Sequence, residues 1–544
     1  MRKHSILLSG LIVAGLTACS GDQLNVVNLN NPDVERAFAT PDGIEGVVGG
    51  LGVQLNNPQR ASESVNNQAK IFAGENFATV NNFGMAPRSI VPRGVLINSL
   101  GNEVQAGNLA NYNSFQRIAR SANNAIRAVD RLVANGSSLG SPARNARAKA
   151  FGFLILGQAL GNVSLGYDSA AIITPTIGSD EVPGLSGARA VNAAAIAMLD
   201  SAIAIANSAD ATNGTNGFPL PATWINGTSL SRDGFVRLAR SYRARLRAGV
   251  ARTPAERAAV DWQAVIADAT NGITADHNVQ LDPSLGWTAV YDTETMYLVG
   301  GWHQLPMWYL GMADTSGAYD AWLAVARDNR EAFLVRTPDT RWPSGATRAE
   351  QQAKQAALVP PAGVYIRNRP TNDDVSGTGW GYSQYEHRRW GATRTAGNVG
   401  PYTDFSATEL SMLAAEGYIR TNQIALAIPL INASRTRNGL PAIPAGTSAT
   451  APIGTLPNCV PRVPVAPNFR STACGTVLEA MKYEKRMETA FTGYMVWFTD
   501  NRGWGDMVAT TPLEWPVPNL ELQARQLPIY NGTLQAPVGT YGFQ

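Results

Sequence analysis

The feature that most restricts the fold of this chain is a series of apolar stripes with helical spacing. The first runs from Tyr112 to Val133 in alternating steps of three and four residues, and Arg117, Arg120 and Arg127 stand mostly off it. Such spacing places the apolar side chains on one face of an α-helix. This segment is therefore predicted to be a long amphipathic helix.

Further stripes follow, and they come in pairs. A second helix is expected from about Ala143, and the small residues on its face would let a neighbouring helix approach closely. Other helices are predicted around residues 196–206, 235–250, 262–266, 406–417, 424–438 and 476–491. Recurring antiparallel pairs of this size are typical of tetratricopeptide-like packing, although insertions break the period here. The predicted fold class is mainly α, with tetratricopeptide-like helical pairs and a long irregular insertion.

The helices near the C-terminus carry clear end signals. Ser406 and Glu409 form a capping-box pattern, in which the serine caps the helix and the glutamate follows three residues later. Arg435 and Arg437 lie in the last turn of the next predicted helix. We expect both arginines to be structural and buried against Glu409 or Glu416.

The insertion, residues 275–400, is rich in Trp, Tyr, Gly, Pro and Asp and has weak periodicity. A long irregular segment within a helical frame is often a functional surface. Trp380, Tyr382, Tyr385 and Trp390 lie among Gly, Ser, Gln and Arg, and are predicted to be the exposed, ligand-binding rings. Trp302 and Trp308 are further candidates on either side of His303. The alternative for each ring is that it fills the core beneath long loops.

The N-terminus indicates export. Arg2 and Lys3 precede an apolar stretch that ends at Ala18, too short for a membrane span and suited to a signal peptide. Residues 16–19, Leu-Thr-Ala-Cys, resemble the bacterial lipobox, in which the cysteine becomes the acylated first residue. We expect residues 1–18 to be removed, Cys19 to carry a lipid anchor, and residues 19–60 to form an extended leader. A plain signal peptide with a chance cysteine is the alternative.

Cys459 and Cys474 are fifteen residues apart in a proline-rich stretch. In an exported protein such a pair favours a structural disulfide. A metal pair or a redox site is the alternative, but the spacing is not Cys-x-x-Cys and no histidine is near.

Charge and motifs narrow the function classes. The chain has 44 basic and 41 acidic residues, a balance that argues against nucleic-acid binding. Its four histidines are scattered, and there is no His-Glu-x-x-His, nucleophile elbow or phosphate-binding glycine loop. We expect no cofactor, no metal site and no enzymatic activity. A surface hydrolase is a further alternative, because a glycosidase needs only two carboxylates about 5–10 Å apart in space.

One stretch is specific enough to suggest a family. Residues 405–440 read FSATELSMLAAEGYIRTNQIALAIPLINASRTRNGL, and the chain also carries ARAKAFGFLILGQALGNV at 146–163 and Trp-Pro-Val-Pro at 515–518. In order and wording these segments resemble the SusD/RagB family of outer-membrane nutrient-binding lipoproteins over most of the mature chain. The positions that carry the resemblance are Glu409, Glu416, Asn432, Arg435, Arg437, Gly439, Leu440, Glu484, Arg486 and Glu488. The chain departs from the family pattern at residues 492–498, Thr-Gly-Tyr-Met-Val-Trp-Phe.

The resemblance implies a single SusD-like domain over residues 19–544. Such proteins sit on a SusC-like TonB-dependent receptor, capture an oligosaccharide or peptide nutrient, and deliver it for import without bond chemistry. It also implies a lipid-anchored protein of the outer membrane that faces the exterior. The alternative is a helical-repeat envelope scaffold that binds only protein partners.

Overall fold

The structure is a computed structural model of the chain. It describes residues 37–544 except 79–83, 100, 102–105, 179, 213–216, 294–302, 355–363 and 370–381. Cys19 and the predicted signal peptide lie outside the described residues.

Helices dominate the described part of the chain. Those before residue 275 are α1 (Pro41–Arg60), α2 (Val65–Phe72), α3 (Met85–Ser89), α4 (Ala106–Ala134), α5 (Pro142–Gly166), α6 (Ala188–Ala206), α7 (Ala209–Thr212), α8 (Ala222–Ile225), α9 (Arg232–Gly249), α10 (Pro254–Ala258) and α11 (Trp262–Thr270). The helices of the region 275–400 are short: α12 (Val290–Thr293), α13 (Met307–Leu310), α14 (Ala318–Ala324), α15 (Arg348–Lys354) and α16 (Gly391–Thr395). The last group is α17 (Ala407–Arg420), α18 (Ile424–Arg437), α19 (Val477–Thr489), α20 (Val496–Trp504) and α21 (Asn519–Ala524).

The long helices pack in one continuous series. Helix α4 packs on α5, α5 on α6, α6 on α9, α9 on α11, α11 on α17, and α17 on α18 and α19. Each helix buries its apolar face against the next. Most of the series shares one large core, and α18 packs with parts of α17 and α19 in a second, smaller cluster. This arrangement confirms the predicted mainly helical fold.

Small residues set the close packing of helix α5, as the sequence predicted. A Cβ atom at Gly157 would lie 2.9 Å from the side chain of Leu199 and 3.0 Å from the carbonyl oxygen of Ala195, both on α6. At Gly161 it would lie 2.5 Å from Leu246 on α9. Real Cβ contacts are longer, so α5 approaches two neighbours as closely as it does because these positions lack side chains.

The strands are short and pair two by two. They are β1 (Phe77–Ala78), β2 (Ser169–Ala171), β3 (Leu185–Gly187), β4 (His277–Leu281), β5 (His303–Gln304), β6 (Ile366–Asn368), β7 (Tyr385–His387), β8 (Gly400–Phe405), β9 (Arg462–Pro464) and β10 (Thr472–Cys474). The antiparallel pairs are β1–β5, β2–β3, β4–β8, β6–β7 and β9–β10. The predicted disulfide is confirmed: Cys459 and Cys474 are bonded, with their Cα atoms 5.6 Å apart.

The predicted extended leader is wrong for residues 41–60, which form helix α1. The Asn, Gly and Pro content of this segment hid an apolar stripe, Ile44, Val48, Leu51 and Leu55, that is buried in the core. The side chain of Thr40 accepts a hydrogen bond from the backbone N–H of Gly43 and caps the helix. Local composition was therefore a poorer guide than the spacing of the apolar residues.

Among the described helices, α5 and α6 are long and apolar enough to cross a membrane by length and composition. Both lie in the helical series, and 89% of the apolar window of α5 is buried inside the protein. A core helix meets the same criterion, and the packing against α4, α6 and α9 accounts for the apolar character of α5.

Buried ion pairs tie the helical series together. Arg245 on α9 donates to Glu409 on α17 with an N–O distance of 2.7 Å, and Arg257 on α10 donates to Glu416 at 2.6 Å. Ser406 caps α17 by accepting from the N–H of Glu409 at 2.9 Å. The glutamates of the family-like stretch are therefore structural.

The expectation that Arg435 and Arg437 pair with these glutamates is wrong. Arg435 lies 3.7 Å from Glu484 and donates to the backbone carbonyl of Pro441 at 3.0 Å. The side chain of Arg437 is 54% exposed and lies 3.3 Å from Glu488. The glutamates of α17 face α9 and α10, whereas the last turn of α18 faces α19, so the two sets do not meet.

Candidate functional site

Three of the four described aromatic rings proposed as ligand contacts are in the core. Tyr385 is fully buried, and its hydroxyl donates to Gln351 Oε1 at 2.8 Å. Trp390 is 7% exposed, and its Nε1 donates to the carbonyl oxygen of Phe491 at 2.8 Å. The prediction that these two rings are exposed is wrong, because they fill the interior beneath long connections and satisfy their polar atoms there.

Of the other four candidate rings, two are described by the structure and two are not. Trp308 is fully buried and packs edge-on against Phe77, with ring centroids 6.0 Å apart. Tyr382 is half-buried and packs against the main core. Trp302 and Trp380 lie outside the described residues. The buried rings of the insertion thus belong to the main core, and the described rings do not form an exposed aromatic platform.

A ligand-sized cleft lies elsewhere, beside helix α4. It has a volume of about 670 Å³, within the usual range of about 300–1,000 Å³ for small-molecule sites. Three parts of the chain form it: one face of α4, the connection between β2 and β3, and helix α21. Its lining residues are Leu109, Ala110, Asn113, Ser114, Gln116, Arg117, Arg120, Ala171, Ile173, Val182, Pro183, Glu521 and Arg525.

The wall opposite α4 is held by side chains of α4 itself. Arg120 donates to the carbonyl oxygens of Gly178 and Glu181, each at 2.7 Å. Arg127 donates to the carbonyl oxygen of Ile177 at 2.6 Å. Because carbonyls rather than carboxylates accept these bonds, the connection is fixed in place without cancelling the positive charge of the helix face.

The cleft is electropositive. The described residues that line it include three arginines, Arg117, Arg120 and Arg525, and a single acidic residue, Glu521. Glu521 accepts from Arg525 at 2.6 Å, and Arg525 also donates to the carbonyl oxygen of Pro183 at 2.7 Å. Within the described part of the chain, neither Arg117 nor Arg120 forms a salt bridge with a carboxylate. A cleft lined by one sign of charge concentrates ligands of the opposite sign.

Titratable groups lie next to the cleft. Burial raises the pKa of Tyr112 on α4, Glu521 raises it further, and Arg525 lowers it, so the hydroxyl lies in the field of both side chains. The exposed Tyr530 donates to the carboxylate of Asp168 at 2.8 Å. Burial raises the pKa of Asp168 to about 6, and this hydrogen bond from Tyr530 opposes the increase.

The sequence contained a partial signal for this site. Arg117, Arg120 and Arg127 stood off the apolar stripe of α4, which marked a polar helix face. The sequence does not show which segments face this polar side of α4, because α21 lies about 400 residues further along the chain. Within the described residues, no group of three or more His, Cys, Asp or Glu side chains could hold a metal ion.

Comparison with known proteins identifies the fold. No family model matches the sequence, and no curated protein matches it. A SusD superfamily protein from Bacteroides thetaiotaomicron VPI-5482 is similar with a TM-score of 0.54 at 13% identity, over 92% of this chain and 98% of that one. A SusD-like carbohydrate-binding protein from Bacteroides fragilis NCTC 9343 has a TM-score of 0.54 at 11% identity, over 93% and 95%. A SusD superfamily protein from Bacteroides vulgatus ATCC 8482 has a TM-score of 0.51 at 12% identity, over 86% and 89%.

The chain therefore has the SusD/RagB fold along almost its whole length. This finding confirms, at the level of the fold, the assignment that the sequence motifs suggested. At 11–13% identity the comparison does not carry over any binding residue, so the site has to be argued from this chain itself.

Proposed function

We propose that this protein is a lipid-anchored, non-catalytic nutrient-binding protein of the outer membrane. It binds a soluble oligosaccharide or peptide at the cell exterior and delivers it to a SusC-like TonB-dependent receptor for import. The observation that carries the proposal is the SusD-like fold over 92–93% of the chain, shared with a protein described as carbohydrate-binding. The cleft beside α4 supplies a site of suitable size.

An exposed apolar surface favours the existence of a protein partner. Exposed apolar side chains lie on two segments that meet through a backbone bridge between Leu96 and Gly532. They include Ile90, Val95, Ile97, Leu527, Ile529, Leu534 and Val538, each between 37% and 54% exposed. A cluster of exposed apolar residues is a common mark of a protein interface. It suits the receptor, and it equally suits the scaffold alternative.

Co-purification separates these two functions. The tagged lipoprotein would be recovered from gently solubilised outer membranes and its partners identified by mass spectrometry. A stoichiometric β-barrel receptor is expected under the import function. Recovery of envelope-assembly proteins without a receptor would support the scaffold instead.

The anchor has its own test. Cys19→Ser should abolish incorporation of radiolabelled palmitate and release the protein from the membrane fraction. The Cys459→Ser, Cys474→Ser double variant is the matched control and should keep the label. Labelling of the Cys19→Ser variant would contradict the proposed anchor.

A further inference from the structure

The cleft beside α4 has an unbalanced charge whose purpose the fold alone does not explain. The exposed side chain of Arg117 makes a single described hydrogen bond, to the Oγ atom of the half-buried Ser114 on its own helix, at 3.3 Å. Arg120 keeps its positive charge at the wall because its partners are carbonyl oxygens, whereas the charge of Arg525 is paired with Glu521. Among the described residues of the lining, Glu521 is the only acidic one, and it is paired with Arg525.

The amide side chains of the cleft can both donate and accept hydrogen bonds, whereas its guanidinium groups can only donate. Asn113 is exposed, and Gln116 uses one amide N–H to reach the carbonyl oxygen of Ala171 at 3.3 Å. No aromatic side chain is among the described residues that line the cleft. A neutral sugar is commonly held by stacking on aromatic rings, and that interaction is missing here. The lining instead suits a ligand rich in acceptor oxygens and negative charge.

We propose that this cleft binds an acidic oligosaccharide, a chain of sugars that carries carboxylate groups. This inference rests on the proposed function of nutrient capture and specifies its ligand class. A carboxylate binds the guanidinium of Arg117, and neighbouring hydroxyl oxygens accept from Asn113 and Gln116. A peptide suits the site less well, because its backbone N–H groups, like the guanidinium groups of the lining, can only donate, whereas every sugar hydroxyl can also accept.

The test uses the mature chain and isothermal titration with tetragalacturonate. We expect Arg117→Gln to weaken binding by about 10-fold or more, since a hydrogen bond to a charged group contributes about 1.5–3 kcal/mol. The matched control is Arg131→Gln, which removes the same charge from an exposed position on α4, about 21 Å further along the helix. The control should bind as tightly as the wild type, because that distance exceeds the screening length of about 8 Å at physiological salt.

Three ligand comparisons complete the experiment. Fully methyl-esterified tetragalacturonate, which has the same sugars without the charge, should bind at least about 10-fold more weakly. Raising sodium chloride from about 50 mM to about 500 mM should weaken the binding of tetragalacturonate. Tetraglutamate should bind more weakly than tetragalacturonate.

Several outcomes would overturn the inference. These are no binding of tetragalacturonate, equal affinity for its ester, an unchanged affinity in Arg117→Gln, or tighter binding of tetraglutamate. In each case a receptor recovered by co-purification would leave the import function standing with a different ligand. Failure of both experiments would remove the import function as well.

Discussion

Removing one charge from the interior is a direct test of how the helical series is held together. Glu416 on α17 is fully buried and accepts from Arg257 at 3.0 and 2.6 Å, and Trp504 Nε1 donates to it at 3.0 Å. In the variant Glu416→Gln the shape is kept, but an amide N–H₂ group now faces the guanidinium. Arg257 retains Asp500, at 3.0 Å, as its only described carboxylate.

The size of the effect follows from the pKa of Glu416. Burial would raise this pKa, but the charge and hydrogen bonds of Arg257, together with the charges of Arg420 and Lys485, outweigh burial and lower it from 4.5 to about 2. At about 1.4 kcal/mol per pKa unit, these charged partners together stabilise the folded state by about 3 kcal/mol at pH 7. Breaking a buried pair by removing one partner costs a similar amount, about 3–5 kcal/mol.

The assay is thermal unfolding of the mature protein at several pH values. With an unfolding entropy of about 2 cal/mol/K per residue, a loss of 3 kcal/mol lowers the Tm of a chain this long by roughly 3 °C. Because the folded pKa lies below the unfolded one, the stabilisation is complete above about pH 4.5. It is lost as the pH falls towards about 2.

The matched control is Asp328→Asn, which also removes a carboxylate from an arginine pair, but one whose acidic side chain is 78% exposed. This variant should have the same Tm as the wild type, because exposed ion pairs contribute little to the free energy of unfolding. The reasoning would be refuted if Glu416→Gln unfolded at the wild-type temperature at pH 7. A Tm difference that did not shrink below pH 4.5 would refute its electrostatic origin.

Three further predictions concern stability. The Cys459→Ser, Cys474→Ser variant should lose about 3 kcal/mol of unfolding free energy, the amount expected for a closed loop of fifteen residues. Reductant should destabilise the wild type equally, and an unchanged stability in reductant would contradict this prediction. Burial raises the pKa of Asp168 to about 6, so ionising this carboxyl destabilises the folded state. As the pH rises from 4 to 7, the wild type should therefore lose about 1–2 kcal/mol of stability relative to Asp168→Asn. An equal pH dependence of stability in the two proteins would argue against this prediction. Gly157→Ala should lose about 1–3 kcal/mol of unfolding free energy, measured by urea titration, because its Cβ would lie 3.0 Å from a carbonyl oxygen of α6. The control Gly46→Ala, which has open space around the new Cβ, should be neutral or slightly stabilising in the same assay.

The helices were predictable because their signals are local. The stripe from Tyr112 to Val133 lies within the observed α4, and the Ser406 cap marks the start of α17 as predicted. The apolar stripe of helix α1 is interrupted by glycines and asparagines, so composition predicts a leader where the spacing supports a helix. Composition likewise predicts that Trp390 and Tyr385 are exposed, because glycine and polar residues surround them in the sequence, whereas both rings are buried.

Charge partners were harder to predict than helices. The sequence showed that Glu416 belonged to a characteristic motif, but not that its partner is Arg257, 159 residues earlier. Arg435 and Glu409 lie close in sequence and yet face different neighbours, because α17 and α18 present different sides to the rest of the protein. Proximity along the chain therefore did not identify the pairs.

The helical class and the SusD-like fold can be predicted from the sequence, and a disulfide is favoured, because periodicity, caps, cysteine spacing and motif order can be read along the chain. Which aromatic rings are buried and where a ligand-sized cleft lies can be read only from the folded molecule. Whether a ring is buried depends on what packs over it, and the cleft is formed by α4, the β2–β3 connection and α21. These parts are distant in the chain and meet only because the intervening helices fold between them.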